Sequence, residues 1–268
     1  MFTIVTQNSA HGFNPKSMKL SYVKKNDVRF CHLKVKNIKR INWGKVEKIL
    51  GDTKSRIIFG NDIVPPIDSD LKTVDDTAYS HVITINALKG ILEYHKNYVA
   101  KKTVILVDTF CKHQDYASVL VDYFGTVKIV TNKISLYQNF KDTKLYEDGA
   151  IVTISSSMDK ITSETVLFVS PDGIVFPSMT NQHIPILSLK KLSDLVLSPV
   201  YHSFESEISD EVAHLMPDGI SSHLFQAALY EYCGMRHLSK NVPAFGYLND
   251  AKTSYEKMKI SIFPIDMN

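Results

Sequence analysis

Four short runs restrict the fold of this chain more than any other feature: 103–107 (TVILV), 127–130 (VKIV), 151–154 (IVTI) and 166–169 (VLFV). A strand with one wet face alternates apolar and polar residues, whereas these runs are apolar at nearly every position. That pattern suits strands covered by helices on both faces. The segments 113–124 and 134–145 between them have helical length. Strand, helix, strand, helix, strand implies a parallel sheet with right-handed crossovers, and 184–187 is a candidate fifth strand. A long helix is expected before the first run, over 76–96. There Val82, Ile85, Leu88, Ile91 and Leu92 recur at three- and four-residue intervals, on one face.

The first sixty residues read differently. Segments 2–5, 19–23 and 28–35 are rich in strand formers, and Lys24-Lys25-Asn26-Asp27 is a polar turn joining the last two as a hairpin. Cys31, Leu33 and Val35 alternate with His32, Lys34 and Lys36, so one face of that arm can be core and the other basic. Asn42 is a candidate N-cap for a helix over 43–50 that Gly51 ends. A short strand over 56–59 follows. The loop 60–70, with Pro65-Pro66, divides a module at 1–60 from a domain at 61–268. The tail is expected to be helical at 206–215 and at 220–235, with Leu224, Ala227, Ala228 and Leu229 turned inward.

Composition narrows the class. The chain has 268 residues, 44% hydrophobic and 22% charged, which is ordinary for a globular protein. No run of about 18 apolar residues suggests a membrane span, and 1–13 lacks a signal-peptide pattern, so a cytoplasmic location is expected. Cys31, Cys111 and Cys233 are too few and too far apart for a disulfide framework. No CxxC or HExxH occurs, and His202 with Glu205 or His214 with His223 has no ligand spacing, so no metal is expected.

The net charge of +3 is unevenly placed: residues 1–50 hold eleven lysines and arginines against Asp27 and Glu47. Lys34, Lys36, Lys39 and Arg40, with Tyr22, Phe30 and Trp43 among them, are candidates for binding nucleic acid or another polyanion. The plainer account puts the aromatics in the core and uses the lysines to keep a sheet edge soluble.

In open parallel sheets ligands bind beyond the carboxyl ends of the strands. That rule selects Asp108, Thr109 and Cys111 after the first run, Thr131, Asn132 and Lys133 after the second, Ser155 after the third and Asp172 after the fourth. Asp108 has the chemistry to hold a ribose hydroxyl or a metal, or simply to cap the next helix. Cys111, beside Lys112 and His113 at a helix start, has surroundings that lower a thiol pKa. The arginine of a Cys-x5-Arg phosphatase loop is absent, however, because position 117 is Ala117. Pro171-Asp172-Gly173 fits a tight turn, and no Gly-x-Ser-x-Gly elbow supports a serine hydrolase.

The helix at 76–96 followed by TVILV and VKIVTNK resembles the nicotinamide half of shikimate-dehydrogenase-type Rossmann proteins, and the arrangement is also similar to small bacterial Rossmann-like proteins without an assigned activity. The resemblance covers about a third of the chain. It implies a Rossmann-like parallel sheet, with Thr131-Asn132-Lys133 in the place of the family's Asn-Arg-Thr turn, and Lys133 facing the 2′-phosphate of NADP. The chain departs from the family where the pyrophosphate would lie: 108–113 (DTFCKH) has no glycine. Side chains would crowd the phosphates there and Asp108 would repel them. The family's catalytic Lys and Asp have no counterpart.

The expected fold class is therefore α/β, a Rossmann-like parallel sheet with a β-rich N-terminal module and a helical C-terminal part. The expected function is binding of a small ligand or a protein partner at the strand carboxyl ends, with no reaction assigned. Alternatives are an NADP-dependent oxidoreductase with an atypical phosphate loop and a polyanion-binding module. Self-association stays open, and a large exposed apolar patch would mark it.

Overall fold

The computed structural model describes residues 1–7, 18–25, 27–36, 41–158, 161–180, 183–192 and 196–263. In chain order the elements are β1 (Phe2–Gln7), β2 (Met18–Lys25), β3 (Val28–Val35), α1 (Trp43–Leu50), β4 (Ile57–Phe59), α2 (Thr77–Tyr94), α3 (Lys96–Val99), β5 (Thr103–Val107), α4 (Gln114–Val121) and β6 (Thr126–Val130). There follow α5 (Ile134–Asp148), β7 (Ile151–Ser155), β8 (Thr165–Val169), β9 (Ile186–Leu187), β10 (Val200–Ser206), α6 (Asp210–Ala213), α7 (Ser222–Tyr232), β11 (Pro243–Leu248), β12 (Ala251–Ser254) and α8 (Tyr255–Ser261). The chain divides into two compact units, Met1–Val82 with Glu207–Asn241, and Ile83–Ser206 with Val242–Asn268. The first takes in residues on either side of 83–206 in sequence, and so reaches beyond the stretch 1–60 that the proline-containing loop marks off.

In the first unit four strands pair in the order β2-β3-β1-β4. The hairpin forms with Lys19 opposite Lys34 and Lys24 opposite Arg29, and β1 lies parallel to β3 and β4. One sheet face packs Val5, Leu33, Val35 and Ile57 against Val46 and Leu50 of α1. The other carries Phe2 and Phe30, whose rings stack 5.4 Å apart and meet the ring of Phe225 from α7 edge-on. Helix α1 begins where the sequence predicts: Asn42 Oδ1 accepts from the Lys45 amide at 3.0 Å, and Gly51 ends it with a φ of 50°. Asn42→Ala should therefore cost about 1 kcal/mol, read as a lower urea midpoint at an unchanged m-value.

His32 is a buried titratable group of this sheet. It is 8% exposed, with Nε2 2.8 Å from Thr6 Oγ1. Burial first, and then the Lys34 charge, push its imidazole down to about 4. An unfolded imidazole takes its proton near pH 6.5, so below that pH the unfolded chain binds more protons. Stability present above pH 6.5 is lost as pH falls toward 4, on the order of 3 kcal/mol. Urea titrations at pH 7.0, 5.5 and 4.5 should show this slope, and His32→Gln should flatten it. An identical slope in the variant would contradict the assignment.

The second unit is built on eight strands in the order β12-β11-β10-β9-β8-β5-β6-β7. Six are parallel from β7 through β10, and β11 and β12 add an antiparallel edge. The central strand β5 is buried at all five positions, which accounts for its unbroken apolar sequence. Three of the four apolar runs behave similarly, but edge strand β7 leaves Ile151 and Thr153 exposed. A strand with no neighbour on one side needs less cover.

The C-terminal part is not the helical segment that periodicity suggests. Helices α6, α7 and α8 are interspersed with β10, β11 and β12, and the stretch 206–215 shortens to the single turn of α6. Pro243 opens β11, a position strands tolerate. Gly246 lies so close to its neighbours that a Cβ there would stand 2.9 Å from both Phe204 and Met258. Neither a proline nor a glycine is a strand-forming residue, so propensity does not mark this strand. The β11–β12 turn is fixed by Asn249 at a φ of 53°, whose Oδ1 accepts from the Val200 amide at 2.9 Å. Among the described residues no helix is long and apolar enough to cross a membrane.

Candidate functional site

The chain leaves β5 to build β6 and β7 on one side, then returns to build β8 and β9 on the other. Strand order thus reverses between β5 and β8, whose carboxyl ends are adjacent in the sheet. The crevice outside such a reversal is where open α/β sheets place ligands. The loops there are 108–113, between β5 and α4, and 170–174, after β8.

Asp108 organises the first loop. It is 0% exposed. Its Oδ1 accepts from the Lys112 amide at 2.9 Å, and its Oδ2 from the His113 amide at 2.8 Å. The Tyr137 hydroxyl, on the first turn of α5, donates to the same Oδ2 at 2.7 Å. Burial, and then this hydrogen bond to Asp108, hold the Tyr137 phenol far above its ordinary pKa, so it remains a donor. The main-chain amides that precede a helix are the groups that ordinarily receive a phosphate. Here the chain's own carboxylate takes them.

The loop closes on itself through the Cys111 amide, which donates to the Asp108 carbonyl at 3.2 Å. Cys111 has a φ of 57°, a conformation that glycine adopts at least cost. Its sulfur accepts from the Gln114 side-chain amide at 3.1 Å. The second loop is a turn in which the Gly173 amide donates to the Ser170 carbonyl at 3.0 Å, with Gly173 at a φ of 73°. That turn aims Asp172 at the first loop: its Oδ1 lies 3.1 Å from His113 Nε2. The Asp172 side chain is one-third exposed and that of His113 only 9% exposed.

Asp108 and Asp172 are thus brought to one place. Thr109 joins the next loop by accepting at its carbonyl from the Asn132 amide at 3.1 Å. Thr131 is buried, and its Oγ1 accepts from the Lys133 amide at 3.1 Å. Asn132 and Lys133 are exposed beside it. The Ser155 carbonyl accepts from the Thr131 amide at 2.9 Å, so 155 continues the same edge one strand further out. The residues missed by sequence reasoning are His113, weighed only as a neighbour of Cys111, and Tyr137. Tyr137 lies 29 positions from the carboxylate it serves, and no local signal links them.

The basic candidates are elsewhere, in the first unit. Lys34 and Lys36 are exposed, and Lys39 and Arg40 lie outside the described residues. In the hairpin Lys19 and Lys34 form one opposed pair and Lys24 and Arg29 another. The pleat puts these pairs on opposite sheet faces, so those cations do not share one surface. Of the three interleaved aromatics Tyr22 is 72% exposed, whereas Phe30 is 1% exposed and Trp43 packs on the core.

The first unit also holds an Asp–Ser–His group that sequence spacing does not reveal. Ser80 Oγ is 2.9 Å from His223 Nε2, and Asp76 Oδ2 is 3.3 Å from the same nitrogen. A relay needs the carboxylate on the other ring nitrogen, so this group is a packed polar contact. Its main electrostatic consequence is that the His223 hydrogen bond holds the Asp76 carboxyl below its usual range. The paired residues considered from sequence also separate: His202 meets the Asn249 carbonyl at 2.7 Å, whereas Glu205 meets Lys252 at 3.1 Å. His214 meets Lys25 at 2.6 Å, away from the His223 partners.

Fold and edge together define an α/β protein with a largely parallel eight-stranded sheet and polar loops gathered at its strand-order reversal. No family model matches the chain, and no curated protein matches it. Among solved structures it is similar to L-tryptophan dehydrogenase from Nostoc punctiforme, at 10% sequence identity and a TM-score of 0.31, over 63% of this chain and 53% of that one. The chain spans about half the length of that protein.

Proposed function

We propose that the second unit is a Rossmann-like module that binds a small polar ligand in the crevice beyond β5 and β8. The observation that carries this reading is the 3.1 Å approach of His113 to Asp172, made across the point where strand order reverses. The order β7-β6-β5-β8-β9-β10 matches the 3-2-1-4-5-6 order of a doubly wound sheet, which supports the Rossmann-like description. Binding without a nicotinamide nucleotide is favoured because Asp108 already accepts from the two amides ahead of α4. A pyrophosphate would have to displace a buried carboxylate. Binding rather than nucleophilic catalysis is favoured because the partner of the Cys111 sulfur is the Gln114 side-chain amide, which cannot take the thiol proton as an activating base would.

A thermal-shift series on the full chain tests this. The probes are NADPH, NADH, and a panel of amino acids, hydroxy acids, sugars and nucleosides. A ligand at about 100 times its dissociation constant adds roughly 2.7 kcal/mol of stability. The expected result is no shift with either nicotinamide, and a saturable shift with a member of the panel that Asp172→Ala abolishes. A saturable NADPH shift, or a panel hit indifferent to Asp172→Ala, would overturn the reading.

A further inference from the structure

The polar groups at the strand-order reversal have a charge problem. Asp108 is fully buried, and the donors that reach its carboxylate are all neutral: two main-chain amides and the Tyr137 phenol. Buried charges are ordinarily paired with an opposite charge or bound to a metal. A second carboxylate, Asp172, has an oxygen within 4.8 Å of it. Asp172 Oδ2 is closed off from solvent and has no hydrogen-bond partner among the described residues, and the same holds for Thr109 Oγ1 in the adjoining loop. A buried acceptor without a donor calls for a missing partner.

We infer that Asp108, His113 and Asp172 bind a divalent transition-metal ion, and that this ion is what the proposed small ligand meets in the crevice; the inference rests on the ligand site proposed above. One ligand atom from each of the three residues lies within 4.8 Å of the others. Two ligands sharing an ion at bonds of about 2.0–2.2 Å stand at most about 4.4 Å apart, so closure needs movements of only tenths of an ångström. The 3.1 Å between His113 Nε2 and Asp172 Oδ1 already suits neighbouring positions on one ion. Two carboxylates and an imidazole match a divalent charge. The imidazole selects zinc, ferrous iron, nickel or copper over magnesium, calcium and manganese, which suit oxygen ligands.

The surroundings fit that role. A ligating carboxylate is usually oriented by its own hydrogen bonds, and Asp108 has three. Among the described residues Asp108 Oδ1 accepts one hydrogen bond, from the Lys112 amide, which leaves a lone pair for an ion. Three protein ligands leave a coordination position open, and the partly exposed Asp172 puts that position on the solvent side. A small molecule bearing a carboxylate or carbonyl oxygen has the chemistry to fill it. No spacing motif announces such a set, because residues 108, 113 and 172 come from two loops, 108–113 and 170–174, whose nearest ends are 57 positions apart in sequence.

The test is calorimetric titration of the chelator-treated full chain with zinc chloride, manganese chloride and magnesium chloride. One zinc ion per chain is expected, bound at least about a hundredfold more tightly than magnesium. Asp172→Asn and His113→Gln should each weaken zinc at least about tenfold, with melting curves showing that both variants fold. X-ray absorption on the zinc-loaded wild-type chain needs no variant, and should show nitrogen and oxygen ligands including one imidazole. No zinc binding, a sulfur shell, or affinity unchanged in both variants would overturn the inference. If the metal-free chain still binds a panel ligand in an Asp172-dependent manner, the ligand site stands and only the ion falls. If zinc binds as described but panel ligands map elsewhere, the ion stands and the proposed function falls.

Discussion

Asp108→Ala should destabilise the chelator-treated protein by about 3–5 kcal/mol, one of the two largest effects expected of a single substitution. The residue has 0% exposure, so no water replaces what it accepts. Its removal strands the amides of Lys112 and His113 and the hydroxyl of Tyr137. Each buried donor left unpaired costs about 1–3 kcal/mol. The loss is offset in part because a buried carboxylate is itself costly to desolvate. Tyr137→Phe removes one donor and leaves the carboxylate two amides, so it should cost only about 1–2 kcal/mol. Urea unfolding of both variants measures the ratio. An Asp108→Ala variant as stable as wild type would mean that the carboxylate does not organise the loop.

Phe225→Ala should cost a similar amount, about 3–5 kcal/mol. The ring is fully buried and lies 6.2 Å from Phe2 and 5.9 Å from Phe30, with edge-on contacts each worth about 0.5–1.5 kcal/mol beyond burial. The substitution opens a cavity between α7 and the four-stranded sheet. It also tests whether 207–241 completes the first unit. If a fragment ending near residue 60 folded alone, the sheet would tolerate the loss of Phe225. Hydrogen exchange at Phe30 and Leu33 should instead accelerate in Phe225→Ala, and unchanged protection there would show that α7 is dispensable.

Much of the parallel sheet was legible in the sequence because burial on both faces removes the ambiguity of alternation. TVILV at 103–107 suits a strand covered on both faces, and β5 spans those same residues. The hairpin and α1 were legible for local reasons, a polar turn and an Asn cap. The antiparallel edge was not, because Pro243 and Gly246 meet demands of neighbours that are distant in sequence. The parallel pairing of β1 with β3 and β4 escaped for the same reason: strand propensity says nothing about partners.

The site was legible only in its addresses. The strand-end rule selects Asp108 and Asp172 without knowing that β8 lies beside β5. His113 was hidden because a histidine at a helix start has no distinctive spacing, and its partner comes from a loop 59 residues later. In the basic hairpin the pleat puts the Lys19–Lys34 pair and the Lys24–Arg29 pair on opposite sheet faces, a division that a count of charges along the chain does not show.

The most direct test of the ligand crevice is residue-resolved amide mapping of the full chain by NMR, with any panel compound that stabilises it. The expected perturbations fall on 108–113 and 170–173, with weaker ones at 131–133. Perturbations confined to the first unit, or to the opposite ends of β5 and β8, would contradict the account.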